Sequence, residues 1–314
     1  TDTITLNTTG STGHGTLDNG TTVVALGTSA ASLVTNVGGN LTLTSGAVAG
    51  ITDSATVTVG GNLIATTDAS SGVIDLGTLA VDGTMALVTH NNGAATVVND
   101  AGLNFAASTV GGALSATATT GNIIDTGALT ITGTSTFVTI ANDATITLDQ
   151  GGHAFTGALL ITTNDTSTDT AGDVTISAGS SAVLDFGNST IDGDLIATSS
   201  NATGITDSGA MTVRGTASFQ TTATNADISL GTSTLGDGTG TDTITLNTTG
   251  SGGDATLDNG TTAVALGTSA ASLVTSVGGD LTLTSGAAAG ITDSATVTVG
   301  GNLIATTDDN NGVI

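Results

Sequence analysis

The segment Val37–Leu63, VGGNLTLTSGAVAGITDSATVTVGGNL, recurs down the chain with a period of 22 residues. Shifted once, Leu41 becomes Leu63, Gly50 becomes Gly72, Ile51 becomes Val73, Asp53 becomes Asp75, Val57 becomes Leu79 and Val59 becomes Val81. Shifted by 154 residues, it returns as Leu195, Gly204, Ile205, Asp207, Met211 and Val213. A period this short marks a solenoid, whose single repeats cannot bury an apolar face without a neighbour. Within a repeat the alternation is of period two: Leu41 and Leu43 point one way, Thr42 and Thr44 the other. Ser45-Gly46, Asp53-Ser54 and Gly60-Gly61-Asn62 supply turns between the alternating runs. The expected fold is all-β: a single-stranded parallel β-helix with three short strands and three corners per 22-residue turn.

A second, longer period lies above the first. Residues 1–74 reappear as 241–314 with ten substitutions, among them His14 to Asp254, Asn36 to Ser276, Asn40 to Asp280 and Ala69 to Asp309. Eleven turns of 22 residues nearly equal this 240-residue offset, so the long repeat is expected to be close to a whole number of turns. The expectation is one continuous solenoid over 1–314, cut from a longer array. The spacing lengthens to 29 residues between Val81 and Val110 and to 36 between Phe155 and Ile191. There a corner loop such as 163–170, or an extra irregular turn, is expected. Phe105, Phe137, Phe155, Phe186 and Phe219 fall at inward positions, and Met85 and Met211 replace aliphatic residues of the same column.

Composition narrows function. The net charge is −25, all 26 acidic residues are Asp, and Arg214 is the only Lys or Arg. Such a chain cannot neutralise phosphates, which argues against nucleic acid and anionic lipid as partners. Missing Lys and Glu argue against helix, and abundant Thr, Val and Ile favour strand. No cysteine is present, so neither disulfides nor thiolate metal sites hold the fold. No run of 18 apolar residues occurs, so no membrane-spanning helix is expected.

The segments GGNLTLTSGAVAGITDSATVTVGGNLIATT, GNIIDTGALTITGTSTFVT and DGDLIATSSNATGITDSGAMTVRGTASF resemble the repeats of filamentous-haemagglutinin-type bacterial exoproteins. The resemblance covers essentially the whole chain. It implies a right-handed β-helix, secretion across an outer membrane, and a role as adhesin shaft or surface fibre, with no catalytic residue carried over. Side-by-side or end-to-end assembly into filaments is compatible with it.

The candidate chemistry is the corner Asp, in the pattern apolar–x–Asp–x–Gly or a close variant, at Asp18, Asp53, Asp75, Asp125, Asp149, Asp185, Asp207, Asp258 and Asp293. Stacked turns would line these carboxylates along one edge. Calcium could bridge them, with Asp53, Asp75, Asp125, Asp207 and Asp293 as candidate ligands. The simpler reading is that each Asp accepts backbone N–H bonds at its corner. The repeated GGxGxDxUx calcium motif is absent. Paired threonines such as Thr42/Thr44 and Thr56/Thr58 raise an ice- or crystal-binding face, although Ile64 interrupts that ladder. Catalysis is not expected: His14, His90 and His153 share no register, and the second copy replaces His14 by Asp. A structural rod at the cell surface or outside the cell is the reading that composition and repeat favour, with no cofactor required.

Overall fold

The computed structural model describes residues 3–27, 34–164, 171–236, 242–267 and 274–314. All the regular structure among them is β-strand, and these strands pair in parallel. The fold is a parallel β-solenoid with turns of about 22 residues, as the period requires. Two units divide the chain, 1–150 with 155–157, and 151–154 with 158–314.

In the first unit each turn alternates two kinds of side. One side is a single strand, such as Leu41–Ser45; the other is a bent pair, such as Ile51–Asp53 followed by Val57–Val59. Like stacks on like. Leu41 pairs with Leu63 and Leu63 with Met85, while Val57 pairs with Leu79 and Val59 with Val81. The inward row Leu41, Leu43, Val57, Val59, Leu63, Ala65, Met85 and Leu87 is wholly buried. Each of its larger side chains contributes roughly 1.5–3 kcal/mol. Phe105, Phe137 and Phe155 meet edge to face in this core, with successive centroids 6.1 Å apart. In the second unit Phe186 and Phe219 do the same at 6.4 Å. The five rings are therefore core, as their inward positions suggested.

One stacking expectation is corrected. Ile51 lies over Ile74 and Thr52 over Asp75, so Asp75 is displaced by one residue from the position under Asp53. The cause is the corner before it. Val73 is spent there, its carbonyl accepting the Ile51 N–H at 2.9 Å, and Ile74 and Leu76 fill the inward sites. Gly50 makes the approach possible, since at φ +66° a Cβ would run into the Val73 oxygen.

The irregular spacings also have a structural origin. After Met85–His90 the chain forms a second single strand, Ala95–Asn99, where a bent pair is due. It stacks on the bent side Ile74–Val81, with Ala95 on Ile74 and Val97 on Leu76. Single strands and bent pairs thereby exchange sheets: Leu114–Ala118 continues on Ala95–Asn99, and Leu103–Phe105 follows Met85–His90. The second unit contains the same step twice, from Leu159–Asn164 to Val174–Ala178 and from Ile244–Thr249 to Ala255–Asp258. Each step advances the motif by half a turn. An extra half turn rather than a bulged loop explains the 29-residue spacing. Most of the candidate loop 163–170 lies outside the described residues.

A single strand over a bent pair leaves the far end of the pair uncovered. Asn99 covers it. Its Oδ1 accepts the Val81 N–H at 2.9 Å, and its Nδ2 donates to Val81 O at 3.1 Å and Gly102 O at 2.7 Å. In the second unit Asn259 does the same, binding Leu235 N at 2.7 Å, Leu235 O at 3.0 Å and Ala263 O at 2.8 Å. A buried primary amide thus stands in for a missing strand residue, offering both the donor and the acceptor a β-bridge needs. Asp at these positions keeps the acceptor and loses both donations. Asn99→Asp and Asn259→Asp are each expected to destabilise their unit by about 1–3 kcal/mol in chemical denaturation.

Candidate functional site: the corner acceptors

At the corners a polar residue, most often one that follows a glycine or a Gly-Gly pair, sends a side-chain acceptor to the next turn. In the first unit His14 Nδ1 accepts the Asn40 N–H at 2.8 Å. Asn40 Oδ1 takes Asn62 N–H at 3.0 Å, Asn62 Oδ1 takes Thr84 N–H at 2.9 Å, and Asn122 Oδ1 takes Thr145 N–H at 2.9 Å. In the second unit the chain of acceptors runs Asp173 to Asp194 N–H at 2.9 Å and Asp194 to Thr216 N–H at 2.7 Å. Asp227, Asp254 and Asp280 form a separate run beside the other sheet, receiving Asp254, Asp280 and Asn302 N–H at 2.9, 2.8 and 2.7 Å. The glycines make room for it. A Cβ on Gly61 would collide with Asn40 Oδ1, and one on Gly215 with Asp194 Oδ1.

The corner Asp residues singled out by sequence divide into three kinds. Asp53 grips the bend of the next turn, accepting Gly77 N–H at 3.0 Å, Thr78 N–H at 2.9 Å and the Thr78 hydroxyl at 2.8 Å. Asp207 repeats this on Gly231 N–H at 2.8 Å, Thr232 N–H at 2.9 Å and the hydroxyls of Thr232 and Ser233 at 3.2 and 3.1 Å. Asp125 accepts the Asp149 N–H at 3.1 Å, and Asp185 takes the Thr206 and Ser208 hydroxyls at 2.9 and 2.6 Å. Asp18 and Asp258 bind locally, to Gly20 and Gly260 N–H at 2.9 and 3.0 Å. Asp75 points outward from Ile74–Val81, and Asp293 is exposed at the end of Ile291–Asp293.

The carboxylates therefore do not form the continuous edge ladder expected of them. Asp125 pairs with Phe105, Asp207 with Phe186 and Asp185 with Thr206. Among the described residues, no three His or Asp side chains gather in a way that could hold a metal ion. His90 is exposed at the end of its strand and His153 is buried, so the structure does not bring the three histidines together. Arg214 has a partner that sequence did not suggest, Asp192 of the previous turn, at 3.2 Å. Thr42 stacks on Ile64, which is exposed, so the outward threonine ladder is interrupted as the sequence indicated.

Among the described residues, Asp194 and Asp125 have perturbed carboxyls. Burial raises Asp194 above the usual carboxylate value, the Thr216 N–H opposes this and the Asp173 charge adds to it. Asp125 is raised chiefly by burial too, with the Asp149 N–H opposing and its carboxylate reinforcing. These corners accept Asp at an electrostatic cost, which Asn would avoid while keeping the same oxygen.

Residues 92–162 and 171–234 match the model of a family described as repeats of unknown function (DUF5649). The matched segments hold the Asn99 clasp and the acceptors Asn122, Asp125, Asp173, Asp194 and Asp207. No curated protein matches the chain, and neither does any solved structure. No helix among the described residues is long and apolar enough to cross a membrane.

The raised carboxyls give a signed pH dependence. A group whose value is raised on folding favours the folded state fully below its unfolded value, and that contribution is lost as pH rises through the folded value. Asp194→Asn should therefore stabilise at pH 7 by less than about 1 kcal/mol. The gain should vanish below the unfolded value of 3.8. Thermal melts of parent and variant across pH check both.

Proposed function

We propose that the chain is a structural solenoid segment of a repetitive surface or secreted protein, serving as shaft or fibre rather than as catalyst. One observation carries this reading. Between the two near-identical copies, His14 is replaced by Asp254 and Asn40 by Asp280, yet both positions keep accepting the N–H of the next turn. What is held through the exchange of imidazole, amide and carboxylate is the inter-turn bond. Proton transfer would not survive the exchange of Asn40 and Asp280, because an amide does not titrate, whereas all three groups can accept a backbone N–H.

Three further features support an extracellular setting. The repeats resemble those of filamentous-haemagglutinin-type exoproteins. Only Arg214 offers a trypsin-type cleavage site. The charge of −25 makes copies repel one another sideways, which favours a soluble, separate shaft.

Antibody raised against the folded chain is expected to label intact cells of the source organism as strongly as permeabilised ones. Labelling only after permeabilisation would overturn the surface assignment. Loss of labelling after treatment of intact cells with a broad-specificity protease that does not require Lys or Arg is the matching positive result.

A further inference from the structure

The two buried amide clasps do the same work in the fold but differ in covalent chemistry. Asn99 is followed by Asp100, whose N–H donates to Leu79 O at 2.9 Å. Asn259 is followed by Gly260, whose φ of +53° favours glycine. An Asn-Gly pair is the one most prone to deamidation, because no side chain hinders the glycine nitrogen from reaching the asparagine amide. In that reaction the Gly260 nitrogen attacks Asn259 Cγ. The N–Cγ bond forms, the Cγ–Nδ2 bond breaks, and Nδ2 leaves as ammonia with the proton given up by the attacking nitrogen. Water then opens the succinimide at either carbonyl, giving aspartate or isoaspartate.

The folded chain holds each group that this reaction needs. The leaving nitrogen, Asn259 Nδ2, donates to Leu235 O at 3.0 Å and Ala263 O at 2.8 Å, while Oδ1 accepts the Leu235 N–H at 2.7 Å. The attacking nitrogen, that of Gly260, donates its proton to Asp258 Oδ1 at 3.0 Å. The main chain on either side is fixed as well. Asn259 N–H donates to Thr284 O at 3.1 Å, Asn259 O accepts the Thr262 N–H at 3.0 Å, and Gly260 O accepts the Gly286 N–H at 2.6 Å. Asn259 is wholly buried, which keeps away the water of the second step.

We infer that the Asn259-Gly260 pair is a latent modification site, closed by the folded clasp and open to deamidation whenever the clasp opens, whereas Asn99 is spared. Conversion reinforces itself. A carboxylate at 259 has no donor for Leu235 O or Ala263 O, and isoaspartate adds a carbon to the main chain just before Val264–Leu266. Either product therefore weakens the clasp that had prevented it. Asn92-Gly93 is also an Asn-Gly pair, but the Asn92 side chain is exposed at its corner, so conversion there breaks no clasp. The chemistry sets how long the second unit keeps its clasp, and it is independent of where the protein works.

The test incubates the full chain, folded and unfolded in urea, and follows residue 259 by peptide mass spectrometry. Conversion is expected to be at least about tenfold slower in the folded chain. Asp258→Ala frees the Gly260 N–H and leaves the bonds of the Asn259 amide, so it should speed conversion in the folded chain about fivefold, the factor carried by one ordinary hydrogen bond. Asp18→Ala should leave residue 259 unaffected. Converted chains, separated by their added charge and refolded, should show at least about fivefold faster amide exchange at Leu235, with Val81 unchanged. Equal rates at residue 259 in folded and unfolded chains overturn the inference, as do converted chains that keep Leu235 protected. Conversion of Asn99 in urea as fast as that of Asn259 overturns the difference between the clasps.

Discussion

Every turn of this solenoid depends on finding an acceptor for the backbone N–H groups that corners remove from the strand ladders. A buried or half-buried N–H without a partner costs about 1–3 kcal/mol, and a coil of short strands creates such groups repeatedly. The chain meets the demand with side chains from the turn before: Asn40 for Asn62, Asn62 for Thr84, Asp194 for Thr216. Glycine at the corner admits the oxygen, and inward aliphatic rows supply the burial that makes stacking favourable. The inward threonines supply the converse, a donor for corner carbonyls, as when Thr67 donates to Gly72 O at 2.9 Å and Thr221 to Ala226 O at 3.0 Å.

This arrangement explains how a chain of net charge −25 with one guanidinium folds at all. The carboxylates sit as acceptors of backbone donors, whose partial positive charge replaces that of missing Lys and Arg. Asp53 and Asp207 each hold a bend with two N–H groups and at least one hydroxyl. Where burial and a like charge combine, at Asp194 and Asp125, strain appears as raised carboxyls. Asn and Asp are interchangeable acceptors at the Gly-Gly corner, but not at Asn99 and Asn259, where the amide must also donate.

The fold was legible in the spacing of Leu41, Leu63 and Met85, because period-two rows at fixed intervals leave parallel stacking as the way to bury them. The half-turn steps were visible only as lengthened spacings. Nothing in Ala95–Asn99 alone says that it will lie on a bent pair, since that depends on which side of the coil precedes it. The displacement of Asp75 was hidden for a related reason: Val73 and Ile74 are both apolar, and only the corner geometry decides which points inward. The corner-Asp pattern found Asp53, Asp125 and Asp207 and passed over Asn40, Asn62 and Asn122 together with Asp173, Asp194, Asp227, Asp254 and Asp280, which accept backbone N–H groups in the same way. The signal was present as a polar residue after Gly-Gly or beside a corner glycine, and it marks a hydrogen-bond acceptor rather than a charge.

The central claim is that corner side chains exist to accept the next turn's backbone N–H. Residue-resolved amide exchange of Asn40→Ala beside the parent chain addresses it most directly, at the Asn62 amide that Asn40 Oδ1 accepts. Selective loss of protection at Asn62, with Leu63 and Ala65 still protected by their strand pairing, is the predicted result. Unchanged protection at Asn62 would contradict the account.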